Sequence, residues 1–370
     1  MSGSSEETPL LLEQRPLGQG GHMAVATLNR PRTINALSQT MIDTLTPALQ
    51  DWAGDEAIKV VVLRGAGERG FCAGGDVVAL YQAMRAGELA VADRFFTTEY
   101  RLDHMLHTYP KPVLCLGDGF VMGGGMGLFM AASHRLVTER STLAMPEIQI
   151  GLYPDVGMSH ALATLPHGMG RYMALTGASL NARDAIALGM VHGSYPGSAA
   201  EVVLDQLAQA PWDQKDPHGA MAWLTEHLPP TQLPPPRYAS CLETIASLMA
   251  GDDLLAVASG LQMAAGEGSV LAADWQRLQA GCPMTAHLGW EMQRRCAQAS
   301  WAETFRTEWL ASTQCARRKD FPEGVRAMLV DKDKNPRWQH AALDQVSREE
   351  VLAHLHLPAG HTHNPLEDLA

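Results

Sequence analysis

Two glycine-rich segments constrain the fold of this chain more than any other feature. Residues 72–76 read CAGGD, and residues 122–127 read MGGGMG. Each follows an apolar, strand-like run and precedes a helix-like run, which predicts an α/β fold with strand-to-helix turns at both places. Glycine tolerates such tight turns, and the first N–H groups of the next helix have no partner within it. Two such turns can bring backbone donors to one point, while tight packing without a ligand is the alternative for either turn alone.

The remaining pattern predicts strand and helix alternation in front and helices behind. We predict strands at residues 22–28, 58–63, 113–116 and 136–138, and helices at 38–52 and 100–109. Ser38 is expected to cap the first helix. After about residue 201 strand signals fade, and helical windows dominate at 238–249, 254–264 and 285–295. Five prolines between residues 229 and 236 indicate a stiff connector.

Composition excludes several classes of protein. Among 370 residues, 40 are acidic and 28 are Lys or Arg, and the net charge of −12 disfavours a nucleic-acid partner. Residues 113–132 are nearly uncharged over the length of a membrane span. They contain Asp118 and six glycines, which favour a buried strand, turn and helix over a transmembrane helix, so no membrane partner is expected. The first residues lack the basic start and apolar core of a signal peptide, so we predict a cytoplasmic protein.

Two cofactor hypotheses are disfavoured by spacing. Residues 65–70 (GAGERG) match a dinucleotide fingerprint after a strand, with Glu88 near the place of a ribose-binding acid, but more glycine follows where a helix should begin. The six cysteines include no C-x-x-C pair and read as reduced thiols. The C-terminal histidines lack other ligands at fixed spacing, which favours a solvated tail over a metal site. These are His354, His356, His361 and His363. We therefore predict no cofactor and no metal.

Two carboxylates stand in an apolar segment broken by Gly and Pro. Glu147 and Asp155 lie within residues 145–157 (MPEIQIGLYPDVG). A carboxyl group in apolar surroundings has its charged form disfavoured, which is how enzymes obtain acids and bases that work near neutral pH. Exposure at the surface is the alternative, and spacing alone does not choose between them.

Taken in order, several motifs resemble the enoyl-CoA hydratase/isomerase (crotonase) superfamily. They are residues 28–31 (LNRP), 35–37 (NAL), 71–76 (FCAGGD), the triple glycine and 145–151 (MPEIQIG). Residues 153–157 (YPDVG), Cys282-Pro283, 321–327 (FPEGVRA), 331–333 (DKD) and 336–338 (PRW) resemble its 3-hydroxyisobutyryl-CoA hydrolase branch. With these included, the resemblance spans nearly the whole chain.

The resemblance implies an α/β fold, a crotonase-like spiral of ββα turns, with a helical C-terminal region. We expect an N-terminal tail at 1–20, the spiral core with the active site at 21–200, the helical region at 201–353 and a loosely ordered tail at 354–370. The family polarises the thioester carbonyl with two backbone N–H groups, here those of Gly75 and Gly124. Its hydratases carry a second glutamate two residues after the triple glycine, where this chain has Gly127. That departure argues against hydration and for hydrolysis.

The resemblance also assigns roles to the acidic residues. Glu147 either attacks the thioester directly as a nucleophile or acts as the base that activates a water molecule for the attack. Asp155 hydrogen-bonds the 3-hydroxyl of the substrate, and Glu99 lines the acyl pocket. After Asp155 the branch usually continues with small and aromatic residues, whereas this chain reads MSH at 158–160. The wall of the acyl pocket is therefore expected to differ. Adjacent residues diverge on a helix, so Ser159 and His160 are not expected to form a catalytic dyad.

The expected partner is a small-molecule acyl-CoA. Its CoA part is expected to contact two loops and a basic group, at Arg32, Asn35, Ala36, Leu37, Ala73 and Gly74. Relatives often form trimers or hexamers, but the helical C-terminal region can cover those surfaces, so a homo-oligomer and a monomer both stay open. The leading hypothesis is hydrolysis of 3-hydroxyisobutyryl-CoA, or of a close short-chain 3-hydroxyacyl-CoA, in valine breakdown. Enoyl-CoA hydratase or isomerase activity is the first alternative, and a non-catalytic binding protein with this fold is the second.

Overall fold

A computed structural model of the protein describes residues 8–212, 216 and 218–370. These residues form two compact units. The sheet unit comprises the described residues up to Gly75 together with Met105–Leu143 and Asn181–Pro235. The helical unit comprises Asp76–His104, Ala144–Leu180 and Pro236–Ala370. Each unit is assembled from separate stretches of the chain, and the predicted domain boundaries at residues 20, 200 and 353 stay a prediction.

The strands are short and most of them are buried. They are β1 (Leu10–Pro16), β2 (His22–Leu28), β3 (Ile58–Gly65), β4 (Gly70–Cys72), β5 (Val113–Gly117), β6 (Phe120–Met122), β7 (His134–Val137), β8 (Thr142–Ala144), β9 (Ser179–Asn181) and β10 (Gly193–Ser194).

The α-helices are more numerous in the second half of the chain. They are α1 (Gln39–Gly54), α2 (Val77–Ala86), α3 (Leu89–His107), α4 (Gly124–Ala131), α5 (Met158–Ala161), α6 (Met169–Thr176), α7 (Ala182–Ala187), α8 (Ala200–Gln209), α9 (Gly219–Glu226), α10 (Leu242–Met249), α11 (Leu254–Ala264), α12 (Val270–Ala280), α13 (Pro283–Cys296), α14 (Trp301–Ala316), α15 (Asp320–Val325) and α16 (Arg348–Leu352).

The sheet unit is built on a six-stranded sheet with the order β1-β2-β3-β5-β7-β10. The β1–β2 pair is antiparallel and the other pairs are parallel. Parallel strands are covered on both faces, which explains the continuous apolar runs of β3 and β5. Val60, Val62 and Leu114 of this sheet pack with apolar residues of α8 and α9, such as Leu204 and Leu224. In the same unit, β4 pairs in parallel with β6 in a second, smaller sheet.

Most predicted elements of the front half are confirmed. The strands at 22–28, 58–63, 113–116 and 136–138 correspond to β2, β3, β5 and β7, and the Ser38 side chain accepts a hydrogen bond from Met41 N, as a cap of α1 does. The predicted helical windows correspond to α10, α11 and α13. The dinucleotide fingerprint is not formed, because its third glycine, Gly70, begins strand β4 and not a helix.

Both ends of the described chain are packed. Within the predicted N-terminal tail, residues of β1 pair with β2 from Leu10 to Pro16. Within the tail predicted to be loosely ordered, the Leu366 side chain is fully buried, and Asp368 forms an ion pair with Arg101. Apolar residues and ion pairs of this kind fix a terminus to its unit. No helix among the described residues is both long enough and apolar enough to cross a membrane.

Candidate active site

The two glycine-rich turns lie against each other in the sheet unit. One follows β4 and the other follows β6 and begins α4 at Gly124. Gly123 has φ 51° and ψ −128°, a conformation that glycine adopts far more readily than other residues. A Cβ atom on Gly74 would lie only 3.7 Å from the Gly124 nitrogen. The structure therefore brings the segment of Gly75 to the start of α4, where N–H groups have no partner inside the helix.

The loops predicted to contact CoA are joined in the same unit. Leu37 N donates to Gly74 O at 2.8 Å, and Ala73 N donates to Ile34 O at 2.9 Å. The Asn35 side chain is fully buried and bonds the backbone of three residues, at Arg30, Ala66 and Gly70. The resemblance predicts a contact of Asn35 with CoA but not this structural role of its side chain. The predicted residues are thus brought together, with Arg32 exposed beside them on a short 3-10 turn.

Glu147 begins a 3-10 turn that spans Glu147–Ile150 in the helical unit. Its side chain is buried, with 5% of the residue exposed, so surface exposure is excluded. Its Oε2 atom has no hydrogen-bond partner within the described part of the chain. Burial, with the nearby charge of Asp155, raises the pKa of Glu147 well above its usual range. In its ionised form, a carboxyl group with a raised pKa is a stronger base than an exposed glutamate.

Asp155 is buried in the same unit and is held by a tyrosine. The Tyr100 hydroxyl of α3 donates to Asp155 Oδ2 at 2.6 Å and lies 2.6 Å from the Ser312 hydroxyl of α14. The pKa of Asp155 is raised to about 6, because burial raises it by more than the hydrogen bond from Tyr100 lowers it. The charged form of Asp155 therefore depends on Tyr100.

Glu147 and Asp155 belong to a larger group of buried acids in the helical unit. We call the following five residues the carboxyl cluster: Glu99, Asp103, Glu147, Asp155 and Glu308. Burial is the first cause of the raised pKa of each member, and the charge of another member raises the pKa of all except Asp155. Like charges that share a buried site cannot all ionise at neutral pH. The cluster therefore retains protons where isolated carboxylates would not.

Two members of the carboxyl cluster were missed by sequence reasoning. Asp103 lies one turn after Glu99 on α3, and neither of its carboxyl oxygens has a hydrogen-bond partner in the part of the chain that the structure describes. Glu308 is fully buried in α14. The spacing of Glu99 and Asp103 by four residues, which places both on one face of a helix, was an available signal. Nothing local distinguishes Glu308.

Ser159 and His160 were not expected to form a catalytic dyad, and their side chains bond other residues instead. The Ser159 hydroxyl donates to Pro154 O at 3.2 Å, and His160 Nδ1 bonds Cys296 O at 2.8 Å. Of the C-terminal histidines, His354 is buried against the backbone of α16, and His361 bonds Asp93. Among the described residues, no group of three or more His, Cys, Asp and Glu side chains could hold a metal ion.

Comparisons with known proteins agree with this architecture. A family model described as enoyl-CoA hydratase/isomerase matches residues 23–355. The chain is 36% identical over 338 residues to a mitochondrial 3-hydroxyisobutyryl-CoA hydrolase of Gallus gallus, covering 90% of this chain and 86% of that protein. It is 30% identical over 352 residues to 3-hydroxyisobutyryl-CoA hydrolase 1 of Arabidopsis thaliana, covering 94% of this chain and 91% of that protein.

Solved structures confirm the expected crotonase-like fold. A carnitinyl-CoA dehydratase from Mycobacterium thermoresistibile matches with a TM-score of 0.84 and 32% identity, covering 97% of this chain and 99% of that one. An enoyl-CoA hydratase from Rhodobacter sphaeroides matches with a TM-score of 0.81 and 33% identity, covering 93% and 96% of the two chains. The family model, the relatives and these structures extend over nearly the whole chain. The chain belongs to the enoyl-CoA hydratase/isomerase family.

Proposed function

We propose that this protein hydrolyses the thioester of 3-hydroxyisobutyryl-CoA, or of a close short-chain 3-hydroxyacyl-CoA, to the free hydroxy acid and CoA. One observation carries the proposal: Glu147 is buried, and one of its carboxyl oxygens has no partner in the described structure. The charge of Asp155 raises the pKa of Glu147, and Tyr100 in turn donates a hydrogen bond to Asp155. The relatives named above as 3-hydroxyisobutyryl-CoA hydrolases support the choice of substrate.

In the proposed reaction, water and the thioester give a carboxylic acid and the CoA thiol. Glu147 takes part either as the nucleophile, forming a mixed anhydride that water then cleaves, or as the base that removes a proton from the attacking water. The N–H groups of Gly75 and Gly124 stabilise the negative charge that develops on the carbonyl oxygen. The raised pKa of Glu147 makes it a stronger base than an exposed glutamate.

The acyl group is selected in this proposal by buried acceptors. Asp155 accepts a hydrogen bond from the 3-hydroxyl, and Glu99 lines the pocket from α3. An acyl group without the hydroxyl would not supply this hydrogen bond to the buried carboxylate of Asp155, which is costly. The CoA part extends along Arg32, the backbone of Asn35, Ala36 and Leu37, and Ala73 and Gly74. Action without a cofactor, a cytoplasmic location and a place in valine breakdown are parts of the same proposal.

Hydrolysis is preferred to hydration because the chain has Gly127 inside α4 where the resemblance expects the second glutamate of a hydratase. Two solved relatives are nevertheless described as an enoyl-CoA hydratase and a carnitinyl-CoA dehydratase. Hydration of an unsaturated ester is therefore the second candidate.

Thiol release from a panel of esters tests the proposal. The panel is 3-hydroxyisobutyryl-CoA, 3-hydroxypropionyl-CoA, 3-hydroxybutyryl-CoA, isobutyryl-CoA and crotonyl-CoA. We expect release mainly from the hydroxylated esters, and a loss of at least about a hundredfold in turnover for Glu147→Gln, the size typical of a lost general base. CoA binding should be largely kept. Glu243→Gln, an exposed position on α10, is the matched control.

Two outcomes would contradict the proposal. Equal turnover of wild type and Glu147→Gln would exclude Glu147 as the reacting group. No thiol release from any ester, together with loss of the double bond of crotonyl-CoA, would assign the protein to the hydratases.

A further inference from the structure

The turn that carries Asp155 has an unfavourable backbone conformation. Val156 has φ 53°, and Gly157 has φ 83°. Positive φ is a rare conformation for a β-branched residue, and it persists only where the surrounding structure enforces it. Val156 is also 1% exposed, so its side chain is fixed in the interior. Some contact must therefore hold residues 155–157 in this shape.

Glu308 supplies that contact from α14. Its Oε2 accepts a hydrogen bond from Gly157 N at 2.7 Å, and its Oε1 accepts one from Ser159 N at 3.1 Å. Both carboxyl oxygens thus bind the backbone directly after Val156. Its own main-chain oxygen accepts a hydrogen bond from the Tyr153 hydroxyl at 3.0 Å. Glu308 therefore contacts the segment on both sides of Asp155 in sequence.

The same helix also reaches the carboxylate of Asp155 through a second residue. Ser312 lies one turn after Glu308, and its hydroxyl is 2.6 Å from the Tyr100 hydroxyl and 3.0 Å from the Tyr153 hydroxyl. Tyr100 in turn donates to Asp155. One face of α14 thus fixes the backbone beside Asp155 and, through Tyr100, its side chain.

We propose that Glu308 is a positioning residue: by binding Gly157 N and Ser159 N it holds Asp155 where it can accept the substrate hydroxyl, and so determines selection for hydroxylated acyl groups. This inference rests on the proposed function, in which Asp155 is that acceptor. Glu308 itself does not touch the substrate in this role.

The chemistry of the contact requires a carboxyl group. Each oxygen of a carboxyl group keeps a lone pair that can accept a hydrogen bond, whether the group is ionised or protonated. A glutamine has one acceptor oxygen and one NH₂ group, so one of the two backbone N–H groups would face a donor instead of an acceptor. Glu308→Gln therefore keeps the size of the side chain and breaks one of two bonds to the turn. An unsatisfied buried N–H is costly. If the turn rearranges so that Val156 leaves its positive φ, both this cost and the backbone strain at Val156 are relieved.

The test measures selectivity, the ratio of kcat/KM for two esters. A variant that folds less well lowers both values by the same factor, so the ratio does not change for that reason. We measure kcat/KM by thiol release for 3-hydroxyisobutyryl-CoA and for isobutyryl-CoA, which lacks the hydroxyl. Glu308→Gln should lower the ratio of the two values by at least about tenfold, with kcat and KM for isobutyryl-CoA changing far less than those for the hydroxylated ester.

Asp274→Asn is the matched control. Asp274 is a buried carboxylate of the same unit that accepts hydrogen bonds from Tyr172 and Tyr238 and pairs with Arg277, outside the carboxyl cluster. Its substitution should leave the ratio unchanged even where it lowers stability. A ratio in Glu308→Gln that stays within about twofold of wild type would overturn the inference, since an equal fall for both esters is what a merely structural residue produces.

Two further arms keep the inference separate from the proposed function. If Glu308→Gln does not fold by circular dichroism, Glu308→Asp replaces it, because a side chain shorter by one methylene cannot reach both N–H groups, and the same fall is expected. If wild type hydrolyses neither ester, the proposed function fails. If wild type hydrolyses both with the hydroxylated ester preferred and the variants keep that preference, only the role of Glu308 fails.

Discussion

At the scale of single residues, the hydrogen bond from the Tyr100 hydroxyl lowers the pKa of Asp155 and so favours its ionised form. With burial raising it and the hydrogen bond from Tyr100 lowering it, the pKa of Asp155 is about 6. Tyr100→Phe removes the donor, so the pKa of Asp155 should rise further, by about one pH unit for the loss of a hydrogen bond to a charged group. The acidic limb of the kcat/KM profile for 3-hydroxyisobutyryl-CoA should therefore move to higher pH.

The profile is measured by thiol release between pH 5 and 8 in wild type and Tyr100→Phe. Tyr81→Phe, an aromatic position on α2, is the control and should leave the limb in place. A limb that does not move in Tyr100→Phe would mean that the ionisation of Asp155 does not limit the reaction.

At the scale of elements, the contact between α4 and β4 allows no side chain at Gly125. A Cβ atom there would lie 2.5 Å from Cys72 O and 2.7 Å from Cys72 Cβ, and the backbone oxygen cannot move without β4. Gly125→Ala should lower the free energy of unfolding by about 1–3 kcal/mol, as overpacking of a core does. Urea denaturation followed by circular dichroism measures this change.

Gly54→Ala is the control for that substitution, because Gly54 ends α1 with no atom within 4 Å of its added Cβ. It should be neutral or slightly stabilising, by about 0.5 kcal/mol, as alanine is preferred to glycine in a helix. If the two variants have equal free energies of unfolding, β4 and α4 are not packed as closely as described.

The elements also explain which parts of the site could be predicted from sequence. The strands β2, β3 and β5 follow from local apolar runs, and the turns at Gly75 and Gly124 follow from local glycine patterns. Glu147 and Asp155 stand out because acids are unusual in an apolar segment. Glu308 does not, because its partner Gly157 is 151 residues away along the chain. A contact over that separation is created by tertiary packing, and no local pattern encodes it.

At the scale of the whole molecule, buried acids and buried histidines give stability opposite dependences on pH. Burial lowers the pKa of His134 to about 3 and that of His192 and His354 to about 4. Their contribution is present above the unfolded pKa of about 6.5 and is lost as the pH falls. The raised pKa values of the carboxyl cluster, such as about 8 for Glu308, act in the other direction, and their contribution is lost as the pH rises.

Above pH 7 these three histidines are largely neutral in both the folded and the unfolded chain. The slope there comes from the buried acids and, to a smaller extent, from buried cysteine thiols whose pKa burial raises. In the unfolded chain Glu308 is ionised there, whereas in the folded protein it binds a proton up to about pH 8. We therefore expect the free energy of unfolding to fall between pH 7 and 8, by about 1 kcal/mol from Glu308 alone. Urea denaturation at both pH values should show this fall in wild type and a smaller one in Glu308→Gln, while His354→Gln should keep the wild-type slope. A slope that Glu308→Gln leaves unchanged would mean that Glu308 is already ionised at pH 7 in the folded protein, with its two backbone N–H bonds outweighing burial and the charge of Asp155.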